Sequence, residues 1–274
     1  MSKKLLCLGT SHQFEISDIE QIELFHKIGF DAFFTGFNDN LKQYRKTADE
    51  LAMIYQSIHA PFKNAAKMWQ GGDDGKMATD ELVRAVFGCA SVDVPILVCH
   101  TYIGFDKKAA PTEMGIENFY KVISTAKENG INIAFENTEG DVFLDALMNE
   151  FRNYSNVGFC WDTGHELCYN NKDMMSLYGD RLICTHLNDN LGITDLNNIT
   201  WIDDLHLLPF DGKTDWQSVA SRLKNYKYEG ILTFELCRKS KPNRHENDIY
   251  DKMNIKDYIK LAFERAQKVS QLLD

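Results

Sequence analysis

The stretch VGFCWDTGH, residues 157–165, carries an apolar, strand-like run into Asp162 and then offers an imidazole, His165, three residues later. An aspartate in that position has an ordinary use as a helix N-cap. The stretch decides the fold only because the same arrangement recurs. Similar apolar runs occupy 4–10, 31–36, 54–62, 96–100, 131–137, 182–189 and 230–236, and several of them also end in histidine or a carboxylate.

Between these runs lie longer amphipathic stretches. Ile19, Ile22 and Phe25 recur at helical spacing up to Gly29, a polar helix is predicted near 41–51, and further helices near 77–90, 114–129, 142–151 and 172–178. Asp215 caps another helix that carries Trp216, Val219 and Leu223 on one side, and a last helix covers 255–273. Eight strand–helix units with no break in composition predict one α/β domain over residues 1–274, a single (β/α)8 TIM barrel. An open doubly wound sheet is the competing architecture. It usually places a glycine-rich turn after its first strand, where this chain has GTSHQF. The longest loops are expected after the third and seventh strands, including KMWQGGDDGK at 67–76.

The bulk numbers suit such a barrel. The chain has 274 residues, 44% hydrophobic and 26% charged, and fits the ~250 residues a TIM barrel takes. Its net charge of −10 disfavours a nucleic-acid partner, because phosphate-backbone affinity comes from Lys and Arg. No stretch approaches the ~20 apolar residues of a membrane span, and the start, MSKKLLCLGTSH, lacks a secretory pattern. The seven cysteines include no CxxC pair; Cys7, Cys99, Cys160 and Cys184 lie in apolar runs and read as small buried residues, and a reducing cytoplasm is the expected setting.

In a TIM barrel, catalytic groups project from the C-terminal strand ends. Here those ends carry His59, His100, Glu136, Asp162, His186 and Glu235, with His165 just beyond and Asp204 and His206 in DDLHLLPF. Each has a bland reading: a satisfied core imidazole, a cap, half of an ion pair. Together they crowd five histidines and four carboxylates into one mouth, where carboxylates repel and a cation is the usual remedy. Imidazole with carboxylate suits Zn²⁺, Mn²⁺, Co²⁺ or Fe²⁺ in preference to Mg²⁺ or Ca²⁺. Phe62 and Trp69, on the third loop, are candidates to stack on a sugar face, the alternative being rings that pin the loop. Arg238, Lys239 and Lys213 are candidate phosphate contacts, with a solvated basic patch as the alternative.

The motifs HAPF, ENTEG, WDTGH, HLNDN and DLHLLPFDGKTDW, in this order, resemble the xylose isomerase-like TIM-barrel superfamily over nearly the whole chain. That resemblance implies one divalent ion held by Glu136, Asp162, His186 and Glu235. A similarity to endonuclease IV implies two more positions, one at His59, His100 and Glu136 and one at His165, Asp204 and His206. Without a further ion, His165 would be a substrate contact. The activity implied is a sugar or sugar-phosphate isomerase or epimerase, with Glu136 and Glu235 moving a proton through an enediolate. The alternatives are a two- or three-metal zinc hydrolase of a phosphate ester and a sugar-binding barrel without catalysis. The partner expected is a small sugar or polyol, with homo-oligomers open. Ketose 3-epimerases carry a glutamate and an arginine where this chain has Val142 and Gly192, which weighs against a free-ketohexose 3-epimerase of that type.

Overall fold

A computed structural model describes residues 4–169 and 171–274. Its strands are β1 Leu6–Gly9, β2 Ala32–Gly36, β3 Ile54–His59, β4 Ile96–His100, β5 Asn132–Glu136, β6 Val157–Asp162, β7 Leu182–His186 and β8 Leu232–Phe234. They form one sheet in the order β7-β6-β5-β4-β3-β2-β1-β8, and the paired registers are parallel. The two end strands also meet. Leu187 N donates to Thr233 O at 2.8 Å, and Glu235 N donates to Leu187 O at 3.3 Å. The sheet therefore closes into the (β/α)8 barrel that the strand–helix alternation predicts.

The helices are α1 Asp18–Ile28, α2 Leu41–Leu51, α3 Gly72–Ser91, α4 Glu113–Glu128, α5 Asp141–Glu150, α6 Thr163–Cys168, α7 Met174–Tyr178, α8 Trp216–Asn225, α9 Asp248–Asp251 and α10 Ile255–Gln271. Local chemistry sets their ends. Ser17 and Glu20 form a reciprocal capping box on α1, which buries Ile22 and Phe25 and stops at Gly29. Three elements depart from the sequence reading. Helix α3 begins at Gly72, not near residue 77, and a 3-10 turn, Ala65–Trp69, precedes it. Glycine and charge suggested a loop, yet Gly75 lies so close to Gln70 O that a Cβ there would clash, and Asn118 bonds Met68 O and Gln70 O. Helix α6 starts directly at the end of β6, and α9 was not anticipated. Helix-free stretches follow β4 (101–112) and β8 (235–247), and the long stretch after β7 holds only a 3-10 turn, Trp201–Asp203.

The main core lies between strands and helices, and includes Phe33, Tyr55, Phe119, Phe135, Phe159 and Tyr258. Inside the barrel, side chains alternate with period two, so the positions two before each mouth residue share its face. These are Ser57, Val98, Ala134, Cys160, Cys184 and Thr233, all at 0% exposure. A layer of small side chains thus lies under the histidines and carboxylates. Among the described residues no helix is long and apolar enough to cross a membrane.

Candidate metal centre at the barrel mouth

Five strands end on a polar residue: β3 on His59, β4 on His100, β5 on Glu136, β6 on Asp162 and β7 on His186. Glu235 follows β8 by one residue. Glu136 is the hub and is fully buried. Its Oε1 lies 2.9 Å from His186 Nδ1, while Oε2 lies 3.3 Å from His59 Nε2 and 3.4 Å from His100 Nε2. Glu235 Oε2 approaches the same His186 Nδ1 at 3.1 Å. One ligand atom from each of Glu136, Asp162, His186 and Glu235 falls within 4.8 Å of the others. Asp204 Oδ1 gathers a further group, with His206 Nε2 at 2.9 Å and His165 Nε2 at 3.5 Å. All nine mouth residues singled out from the sequence are therefore contiguous.

Three of the five imidazoles are oriented from behind. His59 Nδ1 faces Ala60 O at 2.8 Å, His165 Nδ1 faces Asn137 O at 2.9 Å, and His206 Nδ1 faces Glu235 O at 3.1 Å. A carbonyl only accepts, so each Nδ1 carries the proton and each Nε2 is turned toward a carboxylate. That is how metal-binding histidines are normally held. Glu136 Oε2 is buried with no hydrogen-bond partner, a costly state for a carboxylate oxygen that an ion would relieve. The donor set and this orphaned atom fit a divalent ion of the zinc or manganese type.

Residues around the ligands fix them, and several were missed in the sequence. Asn137 receives Asp162 N–H at 2.8 Å and donates to Asp162 O at 2.8 Å. Asp162 Oδ1 accepts from His165 N at 2.7 Å, and Oδ2 from Asn188 Nδ2 at 2.8 Å. Asp162 is thus a helix cap as well as a candidate ligand. Gly164 belongs to the motif because a Cβ there would fall on Asn188 Oδ1. Asp189 pins the loop that carries the third group, accepting from Phe210 N and Thr214 N at 2.9 Å each and from Trp216 Nε1 at 3.0 Å. In that loop His206 is held at φ 46°, left-handed backbone that a residue with a Cβ adopts at a cost. Asn137, Asn188 and Asp189 all lie in the quoted motifs, whose polar density was the available signal. Glu139 is a further buried carboxyl of ENTEG. Burial raises it, against the lowering influence of His100 and then His165, and its Oε1 accepts from Gly104 N at 3.1 Å.

Charge in the cluster is strongly coupled. Burial would raise the Glu136 carboxyl, but His186, His100 and His59 hold it well below the usual range. Burial likewise opposes ionisation of Glu235, and His186 and then His206 bring it down to about 2. Asp162 is pushed up to about 6, chiefly by burial. Burial would lower His165, yet Asp162 and Asp204 lift it to about 10, and carboxylates raise His186 and His206 in the same way. Without an ion, protonated imidazoles balance the carboxylates.

Two expectations need correction. Trp69 does not line the mouth: it is buried, donates from Nε1 to Thr101 O at 2.7 Å and packs on Phe119 and Phe143. It pins the loop after β3. Arg238 is not a free anion contact, since its guanidinium donates to Tyr250 O, Asp251 O, Met253 O and Glu15 Oε2. Lys239 also pairs with Glu15, at 2.6 Å. Lys213 is exposed. Phe62 does stand at the mouth, half exposed, with its ring stacked on His100 at 4.8 Å.

Comparison with known proteins agrees with the fold. The family model described as xylose isomerase-like TIM barrel matches residues 18–254. A Sinorhizobium fredii protein, y4fM, is 31% identical over 53% of this chain, and the chain spans only 48% of that relative's length. A Methanocaldococcus jannaschii protein, MJ1311, is 24% identical over 78% of this chain and 73% of its own. Among solved structures, the IolI protein with a bound zinc atom superposes with a TM-score of 0.77 at 17% identity, covering 97% of this chain and 98% of its own. A D-tagatose 3-epimerase-like protein gives 0.68 at 20% identity, covering 94% and 98%. The D-psicose 3-epimerase of Clostridium cellulolyticum H10, solved with D-tagatose, gives 0.67 at 15%, covering 97% of each chain. These structural likenesses speak to the fold, and the family match to descent: the chain belongs to the xylose isomerase-like TIM barrel family.

Proposed function

We propose that the chain, as one domain over residues 1–274, is a divalent-metal-dependent isomerase or epimerase of a small sugar or polyol. The observation that carries this reading is the contrast within the carboxylates. The side chains of Glu136 and Asp162 are fully buried, whereas that of Glu235 is 30% exposed beside His186. Glu235 is the ligand-set carboxylate that a substrate would reach. His186 and then His206 keep it ionised, the form in which a carboxylate acts as a base. The bound ion would supply Lewis acidity toward a substrate carbonyl and the neighbouring hydroxyl. Glu136, the second carboxylate of the proposed pair, would return the proton, with its Oε2 facing the His59 and His100 imidazoles. Phe62 offers a ring at the rim for an apolar sugar face. All seven cysteines are free thiols, which supports a reducing, cytoplasmic setting. The test is exchange: metal-replete protein, incubated with a panel of aldoses and ketoses in D₂O, should exchange a carbon-bound proton of one of them. Glu235→Gln should abolish it. Absence of exchange across the panel counts against the reading.

A second reading has its own observation. The oxygens of Glu136 divide, Oε1 toward His186 and Oε2 toward His59 and His100, as a carboxylate spanning two ion positions would. With the Asp204 group this favours a two- or three-ion phosphate-ester hydrolase. Hydrolysis of a small phosphodiester by the zinc-loaded protein would select it.

A further inference from the structure

We propose that Cys160 and Cys184, with the inner nitrogen of His186, form a second ion site beneath the mouth, suited to a soft monovalent ion such as Cu⁺. The two cysteines are direct partners across β6 and β7 and both are fully buried. Their sulfurs and a ring nitrogen of His186 all lie within 4.8 Å of one another. Two metal–sulfur bonds of about 2.3 Å can bridge sulfurs up to about 4.6 Å apart, and closer ones at a bent angle that leaves room for a third ligand.

His186 gives the independent sign. Its Nδ1 is taken by Glu136 and Glu235, whereas Nε2 is buried with no hydrogen-bond partner. A metal-binding imidazole nearly always has a partner on its other nitrogen, and one ring nitrogen of His186 lies within 4.8 Å of both sulfurs. The same small-residue layer uses Val98 and Ala134 on β4 and β5, so filling space does not by itself call for sulfur. Donor softness then separates the two sites: oxygen and imidazole above, sulfur below.

At the opposite end of the barrel a recess of about 450 Å³ is lined by Tyr55, Gln56, Ile96, Ile183 and Ile231. The Gln56 amide Nε2 reaches Cys184 Sγ at 3.3 Å. Binding releases the proton of each thiol to solvent. Where His186 Nε2 carries a proton, that proton would be released to solvent as well.

The experiment is an anaerobic Cu⁺ titration of manganese-supplemented protein against a chromogenic Cu⁺ chelator. One Cu⁺ should be retained with a sulfur-to-copper charge-transfer band, and Cys160→Ser and Cys184→Ser should each lose it while retaining manganese. Cys237→Ser should keep it. Wild-type protein that retains no Cu⁺, or serine variants that retain as much as wild type, would overturn the proposal. Should either serine variant fail to fold, copper-edge absorption on wild type decides: two sulfur neighbours support the site, and nitrogen and oxygen alone refute it.

Discussion

Replacing Asp162 by asparagine separates ligand from scaffold. The side chain is fully buried and its carboxyl is pushed up to about 6, against an ordinary value of about 3.9. A raised folded value means that this group's contribution to stability is whole below about pH 3.9 and is lost as pH rises through about 6. Two pK units correspond to about 3 kcal/mol, the destabilisation carried by the ionised, metal-free carboxylate at pH 8. The neutral amide of Asp162→Asn would resemble the protonated form. It still accepts from His165 N, and a flipped Asn188 amide would present its unpartnered Oδ1 to the new NH₂. Metal-free Asp162→Asn should therefore be more stable than wild type at pH 8, by up to about 3 kcal/mol. Metal offsets the advantage. At a thousandfold excess over Kd, an ion stabilises wild type by about 4 kcal/mol. Outer partners of metal ligands are worth about 10–100-fold in affinity, so loss of a direct ligand should cost at least about 100-fold and leave the variant about 1 kcal/mol of metal stabilisation. Urea unfolding followed by circular dichroism, with chelator and with metal, measures both terms. Equal metal increments in the two proteins would refute the ligand assignment. A metal-free variant weaker than wild type by more than about 2 kcal/mol would refute the charge argument.

Metal-free protein should lose stability as pH rises from about 6.5 toward about 10, because His165 binds its proton more tightly folded than unfolded, and metal should hold more tightly over the same range as competing protons leave. Unfolding midpoints at neutral and alkaline pH, with and without chelator, check this, and a rising metal-free midpoint would contradict it. Gly164→Ala should cost about 1–3 kcal/mol by driving a methyl into Asn188, read by urea unfolding, with an unchanged midpoint as the contrary result. Arg238→Leu should cost about 2–4 kcal/mol through the carbonyls it leaves unpaired, while metal content by elemental analysis stays at the wild-type level.

Much of the centre was legible because a barrel turns strand ends into a site. His59, His100, Glu136, Asp162 and His186 each close an apolar run, and each is the last residue of an observed strand. The third group was legible from the aspartate–histidine spacing in DLHLL, but its placement depends on Asp189, which binds three groups 21 to 27 residues away. Side-chain direction was not legible. Trp69 and Phe62 lie in one loop, yet Trp69 turns to α4 and α5 and Phe62 to His100. Arg238 read as a mouth cation because its acceptors are carbonyls 12 to 15 residues further on, which only the closed fold brings near.

The central claim is that Glu136, Asp162, His186 and Glu235 hold a divalent ion. Anomalous scattering at the metal edge, from crystals grown with Zn²⁺ or Mn²⁺, tests it most directly. The account predicts a peak in contact with all four side chains, at about 2.0–2.2 Å for zinc. Three full peaks, with His59, His100, His165, Asp204 and His206 as additional ligands, would keep the centre and select hydrolysis. No peak at the four residues in metal-supplemented crystals would contradict the account.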